Sequence, residues 1–497
     1  MTQLGVKNGA LALFDADGRP ATPAALQAGS ADSQVLRGGL RATLLPLGMR
    51  LLQDAGVARG DAFILVLDND RTSVACMLGA MQLQCVCALV GKSRLALLDH
   101  VRVQTGISKA ITVNDTVGSV EVRDETNPQA AGEATSDAVA ASWLLKPEIS
   151  TKGCVCMLTS GSVGQPKVVA CSWEHMLLQG ESTQQGLFPQ NPARIICGTS
   201  ISHAFSINTI FALFTSPYDA QSELCFASTA LGLYSLLRQR SELFTALYAT
   251  PGTYTALAAM PPTALHVDVP YCAGTRLSLP LFRKMRDQYG LQLMQNYGST
   301  EMGDMAAWYL HGKTFASESR AMASNEKQLY VGSVWPGVEV RVDSNGEVTM
   351  KTPWQAMGYV REHVLHRFNQ SAHRTADLGS TTRDEDGTLC VWLQGRLRPT
   401  VEVEWQGQRL VCNPKEIENV LVAHPSVSDA LVLIQDPANR TRGSICARVA
   451  LKDGAAISQA DLQHWCVEHN LPALRDSLRL ESVQFLPCSP AGKLMYT

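Results

Sequence analysis

Net charge is almost missing from this chain: 42 basic residues face 45 acidic ones, a formal charge of −3 with a pI near 6.4. That balance excludes a uniformly basic protein built to coat nucleic acid. Charged residues of either sign are also scarce, at 18%, where globular chains usually carry about 25%. Nowhere do about 18 apolar residues run uninterrupted, so no membrane span is expected. The N-terminal stretch meets Asp15 and Asp17 before the apolar centre of a secretory signal forms. The 14 cysteines are scattered over 497 residues, unlike the dense spacing of a disulfide scaffold. The expectation is a cytoplasmic protein with reduced thiols. Cys85/Cys87 and Cys154/Cys156 sit inside apolar runs with no second pair at zinc-site spacing, and they read as core residues. His363, His366 and His373 match no metal motif and read as packing or surface residues. No internal repeat is present.

Apolar material is plentiful. At 45% hydrophobic, the chain can bury a sizeable core, and its 497 residues suit roughly three domains. Short apolar runs alternate with helix-period segments from about residue 60 to 300. Ala62–Leu67, Cys85–Val90, Lys109–Val113, Cys154–Leu158, Arg194–Gly198 and Leu291–Asn296 read as strands. Thr72–Gln84, Leu95–Gln104 and a segment from Trp173 read as helices. Such alternation implies crossover connections and a largely parallel sheet. The residues of 114–141 and 311–325 lack periodicity and read as loops. After about residue 328, Pro-Gly and Asn-Gly turns separate the short strands Gln328–Val331, Glu339–Val342, Val348–Lys351 and Leu389–Leu393, giving a β-rich subdomain. Beyond Gly395-Arg396 come a hairpin (Val401–Trp405, Gln408–Val411), a helix (Pro414–Val422), strands at Val427–Ile434 and Cys446–Leu451, and a helix at Ser458–Glu468 capped by Ser458. The fold class is α/β: a large N-terminal domain over 1–395, its β-rich subdomain at about 328–395, and a small α+β unit over 396–497.

Chemistry concentrates in a few motifs. Thr159-Ser160-Gly161-Ser162-Val163-Gly164-Gln165-Pro166-Lys167 follows a buried strand and precedes a helical segment. Its glycines let backbone N–H groups approach phosphate, its hydroxyls donate, and Lys167 adds positive charge. Pro166 stands where a Walker loop needs its second glycine. Tyr297-Gly298-Ser299-Thr300-Glu301 follows the strand Leu291–Asn296, at the sheet edge where ligands collect in doubly wound folds. His373-Arg374-Thr375-Ala376-Asp377-Leu378-Gly379, then Gly395-Arg396, then Pro490-Ala491-Gly492-Lys493 complete the series.

In order and spacing, these motifs resemble the adenylate-forming superfamily of acyl-CoA synthetases, adenylation domains and firefly-type luciferases. The resemblance implies a small C-terminal lid closing over a large domain, with ATP and Mg²⁺ as cofactors. It implies attack of a carboxylate on the ATP α-phosphate, then displacement of AMP by the thiol of CoA or of a carrier-protein phosphopantetheine. By the same resemblance, Thr159, Ser160, Gly161, Ser162, Gly164 and Lys167 cradle the β- and γ-phosphates. Thr300 bonds the α-phosphate and Glu301 holds the metal. Tyr297, with Gly298, lies against adenine, opposite Gly274, Thr275 and Arg276. Asp377 accepts the ribose hydroxyls with Arg396 beside it, and Lys493 bridges the attacking carboxylate and the α-phosphate. His203, Phe205, Ser206 and Asn208 fall where the family keeps its acyl pocket. There His203 is a gate to the thiol tunnel, a pocket wall, or simply a ring packed beside Phe205.

Departures from the family pattern shape the expectation. Val163 replaces a threonine, with the loss of one phosphate donor. Ala376 replaces a glycine, a small change unless that backbone needs positive φ. Pro399 and Glu402 alter the hinge, so the first half-reaction looks better preserved than the second. Ser206 supplies no charge for a substrate ammonium, which favours an acid without an α-amino group. The leading reading is an acid–thiol ligase acting on a small carboxylic acid. The alternatives are an acyl-AMP ligase loading a carrier protein and, from another class, a binding protein without turnover. No nucleic-acid partner is expected.

Overall fold

The computed structural model describes residues 3–7, 10–14, 33–115, 118–124, 143–159, 166–227, 229–275, 277–310, 313–314, 329–368, 372–384, 386–397, 401–405, 408–412, 414–434, 445–452, 454–469 and 478–488. Two large sheets organise them. In the 8-stranded sheet, Cys154–Leu158, Val86–Gly91, Ala62–Leu67 and Lys109–Asn114 run parallel, and antiparallel strands extend both edges. These strands are buried on both faces, which is why they read as continuous apolar runs rather than as an alternation. In the 12-stranded sheet, Glu223–Ala227, Ala193–Cys197, Phe244–Ala249, Val269–Cys272 and Met294–Ser299 form the parallel half. Helices Trp173–Leu187 and Ala204–Thr215 pack against each other over one principal core.

The strands of 328–395 build no sheet of their own. Leu329–Val334 joins Gly303–Ala307 and so continues the 12-stranded sheet, while Gly358–Arg361 and Val364–Arg367 cross to the other sheet through Val168–Cys171. The two sheets are also tied at their loops. Asn69, after Ala62–Leu67, donates to Thr199 O at 2.8 Å and accepts from Ile201 N at 2.8 Å.

Several boundaries differ from the sequence reading. The segment read as a helix over 95–104 is a 3₁₀ turn at Lys92–Leu97, broken at Arg94, followed by a helix at Leu98–Thr105. Ser119–Asp124, read as part of a loop, is an edge strand. The rest of the stretches 114–141 and 311–325 lies largely outside the described residues.

The C-terminal unit has its own small core, in which Ile417, Leu421, Val432, Ile445, Val449, Leu462 and Leu478 meet. Ser458 caps Gln459–Glu468 in a full capping box with Asp461. A hairpin of Gln3–Lys7 and Ala10–Phe14 pairs with Leu486–Pro487 of this unit and packs against helix Pro251–Leu257 of the large one. No helix among the described residues is long and apolar enough to cross a membrane.

Candidate active site

The serine-glycine segment joins two antiparallel strands, Cys154–Leu158 and Val168–Cys171. The helix starts only at Trp173, with Ser172 as its cap. The expected strand-to-helix junction is therefore a hairpin connection, because the four-residue run Val168–Cys171 is buried and β-branched enough to pair before the helix begins. Its neck is closed reciprocally: Thr159 N donates to Lys167 O at 3.0 Å, and Lys167 N donates to Thr159 Oγ1 at 3.1 Å. Ser160, Gly161, Ser162, Val163 and Gly164 lie outside the described residues, as do Arg276, Pro399 and Lys493.

Tyr297, Gly298 and Ser299 belong to the strand itself, which runs Met294–Ser299, and not to the turn after it. Pairing with Gly303–Ala307 extends that ladder, with a bulge between Tyr297 and Gly298. The Thr300-Glu301 turn thus projects from a tight hairpin. Gly303 closes it at a φ of 67°, where a Cβ would stand 2.6 Å from the Gln179 amide nitrogen.

On one side of this turn, Tyr297 Oη donates to Asp377 Oδ2 at 2.6 Å and Arg396 Nε lies 3.0 Å from Oδ1. Asp377 and Arg396 stand opposite each other on neighbouring antiparallel strands. Arg396 Nη1 also donates to Thr375 O at 3.2 Å. Burial, followed by the neighbouring Asp377 charge, pushes the Tyr297 phenol well above its usual range. The residue before Asp377 matters more than its sequence change suggests: Ala376 has a φ of 56°, so the alanine occupies the left-handed conformation that glycine adopts freely.

On the other side stands Glu301, whose Oε1 accepts from Tyr359 Oη at 2.7 Å. Lys167 Nζ lies 4.7 Å above the Tyr359 ring. The His373 ring lies tilted against Phe368, centroids 5.2 Å apart, and Phe368 meets Tyr359 edge to face. Burial pulls the His373 pKa down, against the raising effect of Glu301. Packing explains His373, as expected, but its position beside Glu301 and Lys167 was not expected. Tyr359 had no signal in the sequence, since it lies in a different strand from every motif.

The acyl-pocket set divides. His203 precedes helix Ala204–Thr215, half-buried, in an extended conformation, and Phe205 contacts the Tyr248 ring at 4.9 Å. Ser206 is fully buried and bonds Thr199. Asn208 is fully buried too, and it donates to Thr183 Oγ1 at 3.0 Å and to the Asp304 carboxylate. Asp304 is a buried acid that the sequence reading passed over. Gly274, at a φ of 95°, and Thr275 sit after strand Val269–Cys272 at the same sheet edge.

Glu301 is the one carboxylate in this turn, and its hard oxygens are of the kind Mg²⁺ takes. No group of three or more His, Cys, Asp or Glu suited to a metal exists among the described residues. Mg²⁺ commonly takes one or two carboxylates plus substrate phosphates and waters.

The profile of the AMP-binding enzyme family matches residues 40–360. A 2-succinylbenzoate–CoA ligase of Bacillus licheniformis is 25% identical over 68% of this chain and 68% of its own length. Pyochelin synthase PchD of Pseudomonas aeruginosa is 28% identical over 44% of this chain and 39% of its own length. Among solved structures, the O-succinylbenzoate coenzyme A synthetase of Bacillus subtilis in complex with AMP superposes with a TM-score of 0.60 at 18% identity, covering 92% of both chains.

Proposed function

The chain belongs to the AMP-binding enzyme family, and from that premise we propose that it activates a carboxylic acid lacking an α-amino group as an acyl-adenylate and passes it to a thiol. It is an acid–thiol ligase. The observation that carries the reading is the Thr300-Glu301 turn, flanked by the Tyr297–Asp377–Arg396 contacts on one side and by Tyr359 and Lys167 on the other. In this reading Asp377 receives the ribose, Tyr297 and Gly298 border the adenine, and Gly274, Thr275 and Arg276 line its other side. The 159–167 loop takes the terminal phosphates through Thr159, Ser160, Gly161, Ser162, Gly164 and Lys167. Thr300 bonds the α-phosphate. Glu301 holds Mg²⁺, which when bound would screen the phosphates against the incoming carboxylate.

Lys493 bridges the attacking carboxylate and the α-phosphate, which Thr300 holds. The carboxylate attacks there and pyrophosphate leaves. A thiolate then attacks the acyl carbon and AMP leaves. Residues 1–395 form the domain that binds ATP and acid, and 396–497 the lid that brings Lys493. His203 and Phe205 border the acid. The acceptor is CoA or a carrier protein's phosphopantetheine. The setting is cytoplasmic, in keeping with 14 cysteines scattered along the sequence rather than in the spacing of a disulfide framework.

The test is ATP–pyrophosphate exchange over a panel of carboxylic acids, followed by CoA and phosphopantetheinylated carriers offered with the best acid. Acid-dependent exchange and then a thioester are expected. Exchange with α-amino acids alone would overturn the substrate class.

A further inference from the structure

Behind Phe205 lies a buried polar cluster that the adenylation chemistry leaves unused. Asp304, 4% exposed, projects from strand Gly303–Ala307, three residues beyond Glu301. Amides from three elements donate to it: Asn208 from helix Ala204–Thr215, Asn296 from strand Met294–Ser299 at 3.2 Å, and Gln179 from helix Trp173–Leu187. No cation among the described residues offsets its charge, and burial pushes the carboxyl up to about 6. Three atoms beside it are buried with no hydrogen-bond partner: Asn208 Oδ1, Asn296 Oδ1 and Tyr248 Oη. Their residues are 0, 1 and 0% exposed.

Such atoms are rare in folded proteins because each loses its hydration without replacement. Here they gather at one place. A carboxylate with two orphan amide oxygens offers more acceptors than the lone Tyr248 hydroxyl can serve, and a further N–H or O–H donor is what it lacks. Half-buried Phe205 packs on the ring of Tyr248, a member of this cluster, and on the reading above it borders the acid.

We propose that Asp304, with Asn208 and Asn296, determines acid specificity by receiving a hydrogen-bond donor, a hydroxyl or an ammonium, at the end of the substrate remote from its carboxylate. The assignment rests on the acid-activating reading and adds the class of acid. A site built to pair a polar group rejects analogues that lack it far more strongly than an apolar pocket rejects an extra methylene.

The experiment is pyrophosphate exchange by the full chain with matched aryl and six- to eight-carbon acids ending in hydrogen, methyl ether, hydroxyl or ammonium. Donor-bearing acids should exceed the hydrogen and methyl-ether acids by at least roughly 10²-fold in kcat/KM. Asp304→Asn, whose folding is checked by thermal melting, should reduce that ratio to a few-fold. Preference for hydroxyl assigns a neutral donor, and preference for ammonium assigns a counter-ion; both support the proposal. Exchange that is equal or better with the undecorated acids in wild type overturns it while leaving the ligase reading intact. Exchange with no acid overturns the ligase reading and this assignment together. The wild-type comparison decides the matter even if the variant does not fold.

Discussion

Replacing Ala376 by glycine should make the protein more stable. The φ of 56° puts the alanine Cβ against its own carbonyl, a strain of roughly 1–2 kcal/mol for a non-glycine residue in the left-handed region. Glycine removes that strain but brings about 0.4–1 kcal/mol of extra unfolded-chain entropy. The net gain is therefore about 0.5–1 kcal/mol. At roughly 2.1 cal/mol/K of unfolding entropy per residue, a cooperative unit of about 400 residues converts this into a rise of only ~1 °C in Tm. Urea titration is the more sensitive assay, read as a higher midpoint at unchanged slope.

The local frame should survive the change. Ala376 N donates to Glu347 Oε1 at 3.1 Å, Leu397 N donates to Ala376 O at 2.7 Å, and both are main-chain groups that glycine retains. Asp377 keeps Tyr297 and Arg396, so KM for ATP should stay within about twofold. Ala376→Val, with a branched Cβ at positive φ, should lose stability by more than 1 kcal/mol. A lower urea midpoint for the glycine variant would show that the methyl group packs more favourably than its backbone is strained, and the argument would fail.

Three further outcomes are expected. Tyr359→Phe removes the 2.7 Å bond to Glu301 but keeps the ring under Lys167. A bond to a charged acceptor is worth about 1.5–3 kcal/mol, discounted here for partial exposure. Exchange activity should fall roughly tenfold with a higher Mg²⁺ requirement, and an unmoved Mg²⁺ dependence would detach Glu301 from the metal. Lys493→Ala should lower adenylation by roughly 10²–10³ while a supplied acyl-adenylate still reacts with thiol; unchanged exchange would refute the assignment. Asp304, raised from 3.8 to about 6, holds its proton more tightly in the folded state. Its contribution is thus complete below about pH 4 and lost as pH rises through about 6. Between pH 4 and 7.5, wild type should lose roughly 3 kcal/mol relative to Asp304→Asn, as urea melts at both pH values will report. Parallel pH profiles would mean that Asp304 ionises freely in the folded chain.

What the sequence conveyed followed from local patterning. Ala62–Leu67 and Cys154–Leu158 are recognisable because strands buried on both faces must be apolar throughout, and Ser458 because a cap is a local bond. Ser119–Asp124 escaped notice because an edge strand alternating valine with charge looks like a solvated loop. The motif residues Tyr297, Asp377 and Arg396 could be named in advance, but their mutual contacts could not, being set by a bulge and by register between strands distant in sequence. Tyr359 and Asp304 gain meaning only from neighbours. One is an ordinary strand tyrosine 58 residues from its partner Glu301. The other is a lone acid in an apolar run whose amides come from three separate elements.

The hairpin of residues 3–14 pairs its first strand with Leu486–Pro487 and also rests on helix Pro251–Leu257. Lys493 follows Pro487 by six residues, a tether of about 20 Å when fully extended. The strands Gln3–Lys7 and Ala10–Phe14 are thus a splint laid across the two units, and any swing of one against the other must carry them along or strip Gly5 and Val6 from their partners. An affinity tag fused close to residue 3, or a clone begun at the first helix, therefore disturbs this splint and, on the role proposed for Lys493, its delivery, and is not a neutral convenience. Preparations that differ only in their first dozen residues should differ in turnover before they differ in ATP affinity.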